Sequence, residues 1–295
     1  MKKTKEKKHI APNECSLIRW LLVLFISLVG MSVLTPFREH MNNHTDTFMG
    51  ITYGNYYILL SFIPTYIAFV LAMRFIAKTS VKDFILGVKG KLDKKLAFTL
   101  LGLNVAGLLV LYSIQGNMSF RGVQPGQYIF LVVYMLLVLW MQTTVEEFMF
   151  RGVILRWVSK NEIGYNKKTI IAALITSFVF MLGHVTGPEV TSQSGFNIVL
   201  MCSSYFLYGL IYFWADIHFK SLVPGIVMHW CNNFVLDVII SHEVSVITHP
   251  TLLIDHFPKV ASWDMVSVLV AHMFVIIYIV VDLVKRKKAA SAKTV

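Results

Sequence analysis

Eight stretches of this chain are apolar for long enough to cross a lipid bilayer, which leaves few folds open to it. A hydrocarbon core of roughly 30 Å takes about 20 residues of helix. Residues 17–36, 55–73, 96–115, 127–150, 169–187, 196–215, 221–240 and 262–284 meet or approach that length. Inside lipid every backbone N–H and C=O must find its partner within the protein, so runs of this length are read as helices. The expectation is an all-α polytopic membrane protein of about eight transmembrane helices. Composition agrees, since only 15% of the 295 residues are charged and 56% are hydrophobic, against about 25% charged in soluble chains. No connection between the stretches is long enough for a second, soluble domain. Residues 1–295 are therefore read as a single membrane domain, with basic tails at 1–16 and 285–295.

The net charge of +11 raises the question of nucleic acid, and the placement of the charges answers it. With the N-terminus inside, 22 Lys and Arg fall on inner segments, whereas the outer loops hold Arg38, Arg121 and Lys259. This is the positive-inside pattern, and it puts both termini in the cytoplasm. No aromatic residues interleave these lysines as a base-stacking platform requires. The basic excess thus reports orientation and contact with the lipid bilayer, not nucleic acid. The first apolar stretch follows a basic segment but lacks a small-x-small cleavage pattern, which favours a retained anchor over a cleaved signal. Cys15, Cys202 and Cys231 fall in different environments and make no disulfide framework. Trp20, Trp157, Trp214 and Trp263 fall at span ends, where an indole suits the membrane interface. Residues 78–95 mix apolar side chains with lysines and read either as an amphipathic segment on the inner face or as a loop.

Ionisable residues inside the spans are the informative anomalies. A charged side chain at mid-membrane costs roughly 2.5 to 3.5 kcal/mol on insertion scales, so it persists where it faces a cavity or a partner. The fourth span ends in Glu146-Glu147-Phe148-Met149-Phe150-Arg151-Gly152, the fifth in Phe180 through His184, and the seventh contains His229 through Asn233. Glu147 and Arg151 are four apart with the acid first, the favoured direction for a helical ion pair. Glu146 is about 100° away around the helix. His229 and Asn233 are also four apart and share a face. At a rise of about 1.5 Å per residue, Glu146, His184, His229 and Asn233 reach one layer below the inner boundary. A carboxylate beside an imidazole can take a proton from water and return it to a leaving amine. Two further donors can hold a developing oxyanion. That set suits water attack on a peptide bond. Cys231 is two residues from His229 and on a nearly opposite face, which argues against a Cys-His dyad.

These runs resemble the three motifs of the CAAX-protease and bacteriocin-processing family of intramembrane peptidases. Glu146-Glu147-x-x-x-Arg151 is similar to the first, Phe180-x-x-x-His184 to the second, and His229-x-x-x-Asn233 to the third. The third is preceded by Ser221-Leu222-x-Pro224, as is common in that family. The resemblance covers about residues 96–240, the expected catalytic core. It implies that Glu146 activates water with help from His184, that His229 and Asn233 form an oxyanion site, and that Glu147 and Arg151 organise the fourth span. It further implies a membrane-associated peptide or protein as substrate, processed in peptide maturation or bacteriocin immunity. A lysine-rich chain with no eukaryotic targeting signal fits a bacterial cytoplasmic membrane.

Two histidines and a glutamate are also a three-ligand set for Zn²⁺. There is no His-Glu-x-x-His, because His242-Glu243 is followed by Val246. The resemblance favours a site with no metal cofactor. His272, alone in the last span, reads as a helix-bridging residue, and Asp282 as a solvated residue near a span end. A non-catalytic immunity or scaffold protein is the alternative function. A transporter would be expected to show an internal repeat of broken helices, and none is visible.

Overall fold

The computed structural model describes residues 15–33, 47–86, 91–155, 165–242, 250–256 and 261–292. Residues 1–14, 34–46 and 293–295 lie outside them, and so do Trp157, Glu243, Val246 and Lys259. Several of the helices begin where the sequence supplies a cap or a proline. Helix α1 (Leu17–Ser32) starts after Ser16, whose hydroxyl accepts from the Arg19 N–H. A short hairpin, β1 (Thr47–Phe48) and β2 (Ile51–Thr52), leads into α2 (Tyr53–Leu60) and α3 (Phe62–Ala72). The predicted second span is thus two helices. The chain turns at Ser61, and Pro64 sits in the first turn of α3, where its missing N–H costs nothing. A π-helical turn, Met73–Ala77, then leads to α4 (Val81–Leu86).

Asp93 accepts from the Leu96 N–H at 3.0 Å to open α5 (Lys94–Gln115), which Gly116 closes at φ 66°. Strand β3 (Met118–Phe120) follows, and Pro125 then opens α6 (Pro125–Glu147). That helix passes through a second π turn, Phe148–Gly152, and runs on to Leu155. Asn166 caps α7 (Lys167–Leu182) through the Thr169 N–H at 3.0 Å. Next come the four-residue α8 (Pro188–Thr191), α9 (Phe196–Phe219), and α10 (Val223–Phe234) with a third π turn, Val235–Ile239. Strands β4 (Ile240–His242) and β5 (Leu253–Asp255) precede the long α11 (Ala261–Ser291).

Four helical stretches are long and apolar enough to cross a membrane: Lys94–Gln115, Pro125–Leu155, Phe196–Phe219 and Ala261–Ser291. Eight were expected. Among the described residues the remaining segments form shorter helices, 16 residues each in α1 and α7 and 12 in α10 before its π turn, below the roughly 20 that a crossing takes. Sequence windows had counted turns and strand residues as span. The all-α expectation also needs amending, because β3 pairs antiparallel with β5, and β5 pairs parallel with β4. This small sheet gathers the C-terminal ends of α5 and α10 and the start of α11. The α9–α10 turn lies at the opposite end of the bundle.

Helix α10 sits in the middle, against α5, α6 and α9. Outside it α1 packs on α3, α3 on α6, α9 on α7 and α11, and α11 on α5. Outward positions such as Ile18, Phe25, Phe98, Ile129, Leu137 and Ile277 are exposed and apolar, the surface lipid requires. Asn104 on α5, fully buried, donates to the Met228 carbonyl on α10 at 3.4 Å.

Three expectations change here. Trp20 is buried in an aromatic cluster with Phe69, Phe84 and Phe148, so its ring is covered by protein and not exposed to lipid. Phe84 is fully buried and the Ser221 hydroxyl donates to the Ile85 carbonyl at 3.1 Å, so α4 is part of the core. Asp282 is paired, 2.7 Å from both His218 Nε2 and Arg286, because α9 extends beyond the predicted sixth span and brings His218 to it. His272 does bridge helices: its ring meets Tyr208 and Tyr212 of α9 edge-on, both at 5.4 Å.

Candidate active site

The last turn of α6 presents Glu146 and Glu147 in succession, and the π turn begins at the next residue. A π turn inserts one residue into the hydrogen-bond ladder and re-aims the side chains around it, a device concentrated at functional sites. Phe148 fixes the register, since its ring lies 3.8 Å from that of Phe69 and 4.3 Å from that of Phe84. Gly152 completes the turn beneath Phe84, where a Cβ would collide with that ring.

Glu147 and Arg151 are both fully buried and form the expected ion pair, the guanidinium engaging both carboxylate oxygens. The Arg151 guanidinium also lies 5.3 Å from the Phe180 ring centre and 5.2 Å from that of Tyr212, within reach of cation–π attraction. Its Nε is 3.9 Å from Asp216 Oδ2. Asp216 in turn accepts from the Gly225 N–H at 2.7 Å. This N–H belongs to the first turn of α10, whose unpaired donors favour a carboxylate. A side chain at position 225 would put its Cβ 2.8 Å from Glu147 Oε2 and from Asp216 Oδ2, so the approach depends on glycine.

His229 stands between the two glutamates. Its Nδ1 is 2.7 Å from Glu147 Oε1, and its Nε2 is 3.5 Å from Glu146 Oε2. With Glu147 paired to a guanidinium, Nδ1 carries the hydrogen and donates, which turns Nε2 toward Glu146. Tyr212 stacks on the imidazole at 5.5 Å and Phe180 meets it edge-on at 5.7 Å. Glu146 accepts from Gln142 Nε2 at 3.1 Å. Its side chain is 14% exposed, whereas Glu147 and Arg151 are at 0% and His229 at 4%. Of these four, Glu146 is the group most open to a water molecule.

The structure therefore brings Glu146, Glu147, Arg151 and His229 into direct contact. His184 sits just past the end of α7, with Nδ1 2.8 Å from the Phe180 carbonyl and its ring stacked on Tyr205 at 4.4 Å. It reaches the others through Phe180, whose ring lies 4.6 Å from His184 and borders His229 on its other flank. Asn233 lies in the last turn of α10, half-buried, immediately before Phe234 and the π turn. Among the described residues no group of three His, Cys, Asp or Glu side chains is arranged to hold a metal ion.

Asp216, Gly225, Tyr212 and Gln142 were missed at the sequence level. Asp216 fell one residue beyond the predicted sixth span and so was not counted as an intramembrane charge. Gln142 stands four residues before Glu146, the same spacing that revealed Glu147 and Arg151.

The family model described as type II CAAX prenyl endopeptidase Rce1-like matches residues 128–235, a segment holding every residue of this cluster. No curated protein and no solved structure matches the chain.

Proposed function

The chain belongs to the CAAX-protease and bacteriocin-processing family through its type II CAAX prenyl endopeptidase Rce1-like segment, and on that premise we propose that it is an intramembrane endopeptidase using glutamate-activated water. The observation that carries this reading is the 3.5 Å approach of His229 Nε2 to Glu146 Oε2, at a carboxylate more open than its neighbours.

In the proposed reaction Glu146 takes a proton from water as the water oxygen attacks the scissile carbonyl carbon. The carbonyl electrons move onto oxygen, and His229 with Asn233 donates to that oxyanion. In this proposal His229 enters the reaction as an imidazolium with a hydrogen on each nitrogen, so that Glu147 on Nδ1 balances the charge of the ring while Nε2–H donates. When the C–N bond breaks, Glu146 returns its proton to the leaving amine. His184 borders the site across Phe180 and assists Glu146 when substrate is bound. Arg151 and Asp216 hold Glu147 in place. No step calls for a metal, and Glu147 already has its cation in Arg151. The substrate is a membrane-associated peptide or protein, cut in peptide maturation or bacteriocin immunity at a bacterial cytoplasmic membrane.

Comparing membrane-peptide profiles from cells carrying the native chain and Glu146→Ala tests this. A peptide that accumulates uncut in the variant supports the reading and names the substrate. Identical profiles, with any cellular phenotype retained, would support a binding or scaffold role instead.

A further inference from the structure

Gln142 lies one helical turn before Glu146 on α6, and the two ends of its amide have different fates. Nε2 donates to Glu146 Oε1 at 3.1 Å. Oε1 is buried and has no hydrogen-bond partner among the described residues. The amide cannot be turned over to relieve this, because two acceptors would then face each other across the contact. On an exposed helix a pair at this spacing needs nothing more, since water takes up the spare carbonyl. Gln142 instead sits in a membrane-crossing helix, where a buried acceptor without a partner calls for an explanation. Both amide atoms are bonded to one carbon, so the unsatisfied Oε1 stays beside the Glu146 carboxylate.

We propose that Gln142 positions the hydrolytic water, an inference that rests on the reading of Glu146 as general base. One O–H of that water donates to Glu146 and the other to Gln142 Oε1, and a lone pair on its oxygen is left facing the scissile carbonyl. As the new O–C bond forms, the hydrogen facing Glu146 moves to the carboxylate and the carbonyl pair moves to oxygen. The hydrogen held by Gln142 stays on the new hydroxyl. When the C–N bond breaks, the amine takes its proton from Glu146, and the products are an acid and an amine. A water tied to two fixed acceptors loses little further freedom on the way to attack, the advantage that orientation supplies.

The test uses the full-length chain purified in detergent, with an internally quenched, prenylated Cys-a-a-X peptide as probe, and compares Gln142→Met, Gln142→Asn and Glu146→Gln. Methionine keeps the length and removes both polar atoms. Its expected effect is a kcat lower by roughly 10- to 100-fold, the scale of a misplaced reactant, with KM and melting temperature unchanged. Asparagine withdraws the amide by one methylene and should fall between, and it decides the matter if the methionine variant does not fold. Native kcat in either folded variant, or a raised KM at native kcat, overturns the proposal. The Glu146→Gln chain separates the two claims. If it is inactive while Gln142→Met is fully active, only the water assignment fails; if it is fully active, the general-base reading fails.

Discussion

His229 Nδ1 lies 2.7 Å from Glu147 Oε1, joining the third motif to the first through the glutamate that is itself locked to Arg151. The adjacent glutamates therefore face different partners. Glu147 is enclosed by Arg151, His229 and α10, whereas Glu146 has Gln142 on one oxygen and the edge of His229 near the other. The approximately 100° between consecutive helical residues is enough to give the two glutamates different surroundings.

Removing one partner of a buried ion pair leaves an uncompensated charge, a loss of about 3–5 kcal/mol. Glu147→Ala and Arg151→Ala should each sharply lower the amount of folded protein in membranes. His229→Ala should abolish cleavage and lower accumulation less than either of these, because Glu147 keeps Arg151. Quantifying membrane-inserted protein beside activity checks both, and normal levels of the two ion-pair variants would remove the structural role given to that pair.

Gly225 is where α10 comes closest to the carboxylates. A methyl group there meets Glu147 and Asp216 at 2.8 Å, inside contact distance, and overpacking of this kind costs roughly 1–3 kcal/mol. Gly225→Ala should lower both melting temperature and kcat, whereas Gly102→Ala, with open space around its Cβ position, should leave kcat unchanged and not lower the melting temperature. A Gly225→Ala chain with native activity would show that this approach does not matter.

Asp216 accepts from the Gly225 N–H and lies 3.9 Å from Arg151. Asp216→Asn keeps an acceptor for that N–H, and Asp216→Leu loses it. The expected order of thermal stability is native, Asn, Leu, with leucine losing about 1–3 kcal/mol for the unsatisfied backbone donor. Equal melting temperatures for all three would contradict the anchoring role.

The metal-free reaction expects full activity after prolonged chelation and no stoichiometric zinc in active protein. Zinc bound one to one, with activity that returns only on its addition, would replace the water activation proposed for Glu146 with a metal-bound hydroxide.

Much of this arrangement could be read from spacing. The four-residue interval between Glu147 and Arg151 announced their pair, and the depth estimate put Glu146 and His229 in one layer, where they meet at 3.5 Å. The His229–Glu147 contact was hidden, because it depends on how α10 rotates against α6, and a helical period does not fix that angle between separate helices. Asp216 was hidden because the predicted sixth span stopped at residue 215, whereas α9 continues to Phe219 and carries Asp216 into the core. The strands were invisible because β3, β4 and β5 have three residues each, too few for an alternation to register. The surroundings of Trp20 were also hidden, since its place at a span end says nothing of the aromatic rings of Phe84 and Phe148 that cover it.

The central claim is that Glu146 is the base, and its most direct measurement is peptide release by the purified chain in lipid vesicles, native against Glu146→Gln. Glutamine keeps the shape and removes the proton acceptor. The account predicts that release falls to the uncatalysed background while the variant folds and binds the probe peptide as the native chain does. Release at the native rate by Glu146→Gln would contradict it.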